Sequence, residues 1–169
     1  MTGKPVRESA SVYTELTLPN DANSLGSLFG GKLMQLVDLA GALAAARHAR
    51  VPVVTASVDN LTFLRPVKIG QLVILKSSVN RVFRTSMEVG VKVEVEDLPT
   101  GMIRHVSSAY LTFVGIDKDG NKIELPAAIP ESEEERRRWE GAGLRREYRL
   151  QQKARALERE KASPPCTST

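Results

Sequence analysis

Cysteine is nearly absent from the 169-residue chain: its single copy, Cys166, lies in the terminal SPPCTST. One cysteine excludes a disulfide scaffold within the chain and a Cys/His zinc site. Aromatic residues make up only 5%, so a core must rest on Val, Leu, Ile and Ala. No uninterrupted apolar run approaches the ~20 residues of a bilayer span. The longest apolar stretch, Leu33 to Ala46, is broken by Gln35 and Asp38. The opening MTGKPVRESASVYTE has no apolar leader segment, so no secretory signal is expected. These absences predict a soluble, cytoplasmic protein without membrane insertion. With two histidines, there is little material for Ser/His/Asp or Cys/His catalysis. No nucleophile elbow, Walker loop, H-E-x-x-H or G-x-G-x-x-G motif occurs either. The available chemistry is that of carboxylates, amides and backbone groups, with no metal site and no cofactor expected.

The net charge is +4, but it is spread evenly, with 14 basic and 12 acidic residues up to position 130 and 10 and 8 beyond it. Interleaved charge without an RNP-type aromatic pattern or a Lys/Arg run argues against a nucleic-acid partner. A mild excess of positive charge suits an anionic small molecule instead.

Residues 1–10 read as a flexible N-terminus and 12–17 as a short strand. LPNDANSLGSLFGG is a loop written in turn residues. It runs into KLMQLVDLAGALAAARHA, where Leu33, Leu36, Val37, Ala40, Leu43 and Ala44 fall at helical spacing. Apolar residues on the other face as well predict a helix buried nearly all round. From Val53 the period changes to two. Strands are predicted at VVTASVDNLTFL, QLVILKSSVNRV, 86–96, MIRHVSSAYLTFVGI and a short IEL. In the third of these Met87, Val89, Val91, Val93 and Val95 point one way, and Ser86, Glu88, Lys92, Glu94 and Glu96 the other. After Pro130, Ser132 and Glu135 have capping-box spacing, and Glu133–Arg137 and Glu134–Arg138 are i,i+4 pairs. They predict a helical extension over 131–160, solvent-exposed or laid across a subunit, before a disordered tail at 161–169. One apolar helix and a long antiparallel sheet must wrap together to bury the helix. The expected fold class is α+β, with a domain over 11–130.

Asp38 is the only ionisable residue between Leu33 and Ala46. A carboxylate there needs hydrogen bonds, a raised pKa or an opening to a pocket, and it reads equally as structural or functional. Gly30-Gly31 at the helix start could let backbone N–H groups meet a carbonyl or an anion, or could simply turn the chain. Asn23 reads as a turn residue or as an amide aimed at the same place. Thr55, Asn60 and Ser86 read equally as ordinary strand residues. His48 suits a helix end and His105 a sheet face.

Taken together, N-x-x-G-x-x-F-G-G at 23–31, the helix aspartate, V-T-A-S-V-D at 54–59, F-x-x-P-V-x-x-G at 63–70 and T-S-M-E-V at 85–89 resemble the acyl-CoA thioesterase family of hot-dog proteins. The most similar branch includes the bacterial short-chain acyl-CoA thioesterases and the brain-type acyl-CoA hydrolase. The resemblance covers about 10–126. It implies a hot-dog fold, an antiparallel sheet wrapped around one long central helix. Protomers would pair side by side, with two sites at their interface and dimers assembled as a trimer. Acyl-CoA would be the substrate and coenzyme A the product. Asp38 would match the catalytic carboxylate, Asn23 an amide supplied across the dimer, and Gly31 the amide that binds the thioester oxygen. Gly30, Thr55, Asn60, Arg84, Thr85 and Ser86 would fall to substrate binding. Arg65, Arg81, Arg84 and Lys92 are candidates for the coenzyme A phosphates. Leu39 and Phe83 depart from the pattern, which commonly has an acidic residue and a glycine there. A non-catalytic acyl-CoA sensing module on the same fold is the alternative, and a hot-dog dehydratase a third reading.

Overall fold

A computed structural model describes residues 2–59 and 61–162, and of 159–162 the backbone only. The predicted helix is α1, Gly30–Ala49. Leu33, Leu36, Val37, Ala40 and Ala44 form its buried stripe, as their spacing requires. A five-stranded antiparallel sheet curls around it from β2 (Ser11–Leu16), β3 (Val53–Val58), β4 (Leu72–Val82), β5 (Ser86–Asp97) and β6 (Met102–Gly115), in the order β2-β4-β5-β6-β3. This is the expected α+β hot-dog arrangement. The apolar alternation of β5 is realised, with Met87, Val89 and Val93 fully buried against the helix. Register shifts at Thr55/Ser57, Val79/Arg81 and Val93/Glu94 add the local twist that curls the sheet. Gly41 lets α1 approach β6 closely, since a Cβ there would stand 3.1 Å from the Phe113 ring. Ser77 Oγ donates to the Ala40 carbonyl at 2.7 Å and ties helix to sheet.

The structure differs from the sequence reading in several places. The N-terminus contributes β1 (Lys4–Pro5), which pairs parallel with β7 (Ala128–Ile129), and a 3-10 turn that buries Val6 and Ser9. The strand expected over 53–64 ends at Val58, and the chain leaves the sheet there. In place of a strand at IEL there is only a bridge between Ile116 and Lys122. The helix α1 is not buried all round: Met34, Leu39 and Leu43 stay exposed, next to an edge strand whose Val54 and Val58 are exposed too. Glu88, on the face of β5 opposite Met87, Val89 and Val93, is fully buried too.

Its cover is α2, Glu133–Ala162, opened by the predicted capping box. The Glu135 N–H donates to Ser132 Oγ at 3.2 Å, and the Ser132 N–H to Glu135 Oε2 at 3.1 Å. Of the two expected i,i+4 pairs, Glu134–Arg138 is present at 3.0 Å. Rather than standing free, α2 crosses the outer face of its own sheet. Ala142 is buried, the Arg81 guanidinium stacks on Trp139 at 3.5 Å, and that of Arg145 stacks on Tyr110 at 3.7 Å. The tail beyond 162, with Cys166, lies outside the described residues.

His48, at the end of α1, is fully buried, with Nε2 2.8 Å from the Pro126 carbonyl oxygen. Burial holds its pKa below the ordinary histidine value. The unfolded chain therefore binds a proton on His48 that the folded chain refuses. The stability it contributes is complete above about pH 6.5 and falls as the pH drops below that value. Thermal unfolding from pH 8 to pH 5 should show this slope in the wild type and a shallower one in His48→Gln.

Candidate active site

The lone helix carboxylate is neither sealed in the core nor free. Asp38 is half-buried, and Thr55 Oγ1 donates to its Oδ1 at 2.7 Å. The bond exists because β3 runs at the sheet edge beside α1, and Thr55 sits opposite Phe113, on the face that looks at the helix. Among the described residues no other hydrogen bond reaches Asp38, so Oδ2 is available to water or substrate. Leu39 and Leu43 of the same helix and Val58 of β3 are exposed apolar side chains.

The loop before α1 is built as its sequence suggests. Asn23 Oδ1 accepts from the Leu25 and Ser27 N–H groups at 2.9 and 3.2 Å, and the Asn23 N–H donates to the Ser27 carbonyl at 2.7 Å. The amide oxygen of Asn23 is thus spent on its own turn, and its Nδ2 is the group left for a ligand. The Phe29 N–H donates to the Asp21 carbonyl at 2.8 Å, which delivers the chain to Gly30 as the first helical residue. No side chain caps this end. The first N–H groups of a helix have no partner within it, so those at Gly30 and Gly31 form a donor pair at the positive end of the dipole. Phe63 packs over Gly30, its ring 3.4 Å from where a Cβ would stand.

Gly31 and Asp38 are seven residues apart on one helix, a rise of about 10 Å along the axis. One thioester carbonyl cannot meet both within a single chain.

Arg84 and Thr85 form the turn between β4 and β5, closed by the Phe83 N–H donating to the Ser86 carbonyl at 2.6 Å. Arg84 adopts a left-handed φ of 36°, and its exposed side chain lies 3.8 Å from Glu124. Of the other cationic candidates, Arg81 is committed to Trp139 and Phe83, and Lys92 is paired with Glu94 at 2.5 Å. Lys76 is 2.7 Å from the same carboxylate, and the two lysines hold Glu94 below the usual carboxylate range. Arg65 makes no ion pair among the described residues, and Asn60 lies outside them.

Sequence reasoning missed a cluster on the outer face: Asp59, Glu88, Arg145 and Arg149. Arg145 reaches Glu88 Oε1 at 2.6 Å, and Arg149 reaches Glu88 Oε2 at 3.1 Å and Asp59 Oδ2 at 2.6 Å. The available signal was the i,i+4 spacing of the two arginines, which puts both guanidinium groups on one helix face.

The model of the thioesterase superfamily matches residues 25–101. The chain is 43% identical over 129 residues to the uncharacterized acyl-CoA thioester hydrolase YkhA of Bacillus subtilis, covering 76% of this chain and 75% of that protein. A crystal structure of an apo-hexameric acyl-CoA thioesterase matches with a TM-score of 0.88 at 38% identity, over 91% of this chain and 99% of that one. An acyl-CoA hydrolase from Staphylococcus aureus, solved in complex with butyryl coenzyme A, coenzyme A and coenzyme A disulfide, matches with a TM-score of 0.84 at 33% identity, over 94% and 95% of the two chains. The same hydrolase has been solved with an aspartate, an asparagine and a threonine each replaced by alanine.

Proposed function

The chain belongs to the acyl-CoA thioester hydrolases of the thioesterase superfamily, and we propose that it hydrolyses fatty acyl-CoA to a free fatty acid and coenzyme A with Asp38 as general base. The observation that carries this reading is the Thr55–Asp38 hydrogen bond on an otherwise apolar helix face. It orients a carboxylate toward a surface where an acyl chain can lie. In the S. aureus hydrolase the replaced asparagine, aspartate and threonine are separated by 15 and 17 residues. Asn23, Asp38 and Thr55 have the same separations, which supports giving all three a place in one site.

In this mechanism Asp38 Oδ2 takes a proton from water as the water oxygen bonds to the thioester carbonyl carbon. Gly31 N–H, at the start of the partner's α1, stabilises the oxyanion, with the helix dipole aligned to it. Asn23 Nδ2 orients the water or holds the carbonyl. The C–S bond then breaks, and the thiolate of coenzyme A receives the proton Asp38 took. Water, a carboxylate and amides balance the reaction, and no step calls on a metal or cofactor. Arg84, Thr85 and Ser86 at the exposed hairpin are assigned to the coenzyme A moiety, with Thr55 serving Asp38 more than the substrate.

Because Gly31 and Asp38 are about 10 Å apart along one helix, Asn23 and Gly31 are assigned to one half of the site and Asp38 with Thr55 to the other, and a second copy completes it. The exposed Met34, Leu39, Leu43, Val54 and Val58 form the apolar surface that pairing would cover, and the hexameric relative supports a trimer of such dimers. Leu39, beside Asp38 on that surface, is placed to set acyl-chain preference. Thiol release from a panel of acyl-CoAs, C2 to C18, tests the proposal: hydrolysis of at least one class is expected. Tight binding of the esters with no thiol released from any would instead favour the sensing module.

A further inference from the structure

The C-terminal helix carries no residue of the proposed chemistry, yet it places two arginines where sheet and site meet. Glu88, fully buried on β5, is the fixed point. Its Oε1 accepts from Arg145 Nη2 at 2.6 Å and Nε at 3.1 Å, and from Asn80 Nδ2 at 3.1 Å. Gly90 makes room for Asn80, because a Cβ there would stand 3.0 Å from that Nδ2. Its Oε2 accepts from both terminal nitrogens of Arg149, at 3.1 and 3.2 Å. The same Arg149 donates to Asp59 Oδ2 at 2.6 Å, with both side chains about four-fifths buried. Two carboxylates and two guanidinium groups balance within the cluster.

Asp59 is the first residue after β3, where the chain leaves the sheet, and its N–H donates to the Tyr110 carbonyl at 2.9 Å. Beyond it, the Thr62 carbonyl accepts from Ser107 Oγ at 2.9 Å, and the Leu64 N–H donates to the Val106 carbonyl at 3.0 Å. Between these anchors Phe63 packs over Gly30, at the amide pair that starts α1. Among the described residues, the only ion pair holding this stretch is the one that reaches it from α2.

We infer that the Arg149–Asp59 pair, anchored on Glu88, is a positioning device for the substrate site. It pins the exit from β3 and so keeps the 61–66 segment seated against the start of α1. Arg149 and Asp59 are positioning residues, and the inference rests on the proposed thioesterase reading of that site. A carboxylate left without its guanidinium in this largely buried place turns to water, and the segment it roots loosens. The reacting carboxylate is untouched, since Thr55 and Asp38 lie on the opposite face of β3.

The test uses the full chain. Asp59→Ala should raise KM for an acyl-CoA by about tenfold with kcat changed by less than about twofold, the signature of lost uniform binding. Asp59→Asn, which keeps one acceptor for Arg149, should recover most of the loss. Arg149→Met should reproduce the Asp59→Ala shift, and the double variant should be no worse than either single one. Amide hydrogen exchange should quicken across 61–66 in Asp59→Ala and stay unchanged within α1. Unchanged KM together with unchanged exchange overturns the proposal while leaving the hydrolase reading intact. Absence of thiol release from the wild type overturns that reading and the kinetic role given to the pair. Exchange then still reports whether the pair pins the segment.

Discussion

Asp38→Asn should lower kcat for thioester hydrolysis by about 10²–10⁴-fold, the usual contribution of a positioned general base. The substitution preserves shape. Asparagine keeps an oxygen at the position that accepts from Thr55 Oγ1 at 2.7 Å, and its amide does not disturb the apolar face of α1. It cannot take a proton from water at neutral pH. Because the loss falls on the transition state alone, KM should stay within a fewfold of wild type, and the oligomer should elute unchanged. Stopped thiol-release assays at saturating acyl-CoA measure the drop, and turnover near the wild-type level would remove Asp38 from the mechanism.

The second large effect concerns stability. Arg145→Ala leaves the buried Glu88 carboxylate without its main partner, and removing one member of a buried pair typically costs about 3–5 kcal/mol. Arg149 and Asn80 still reach Glu88, which places the expected loss at the lower end, about 3 kcal/mol. In a chain of this size that corresponds to a melting temperature lowered by roughly 6–12 °C. The stacking of Arg145 on Tyr110 at 3.7 Å is lost in the same substitution. Differential scanning calorimetry on Arg145→Ala and on the exposed control Lys153→Ala gives the comparison. Equal melting temperatures would mean that the Arg145–Glu88 pair contributes nothing to holding α2 on the sheet.

The parts of this molecule that were legible in its sequence are those governed by local periodicity. The 3.6 spacing in 33–44 and the alternation in 86–96 define the helix and the central strand, and a single carboxylate in the apolar helix stands out as the candidate for chemistry. Alternation distinguishes the two faces of a strand, but says nothing of what covers the outer one. The burial of Glu88 was therefore not legible, because its environment comes from a helix 57 residues away. The end of β3 was equally hidden. VVTASVDNLTFL continues with residues that favour strands, yet β3 stops at Val58, next to an Asp59 that is held by Arg149 across 90 residues. The Thr55–Asp38 bond depends on the edge position of β3 beside α1, which strand order fixes and spacing does not. Likewise, the open face of α1 carries the apolar Met34, Leu39 and Leu43, and amphipathicity within one chain could not distinguish it from core.

The central claim is that each active site is assembled from two chains, Asp38 and Thr55 from one, Asn23 and Gly31 from the other. Mixing subunits tests it most directly. Asp38→Asn and Asn23→Ala, each inactive by itself, are co-expressed in equal amounts with different tags, and the doubly tagged assemblies are assayed for thiol release. If the halves come from different chains, random pairing rebuilds both partners in about a quarter of the sites, and activity should return to about that fraction of wild type. If mixed assemblies stay as inactive as their parents, Asn23 and Asp38 serve the same site from the same chain, and the account of a shared site is wrong.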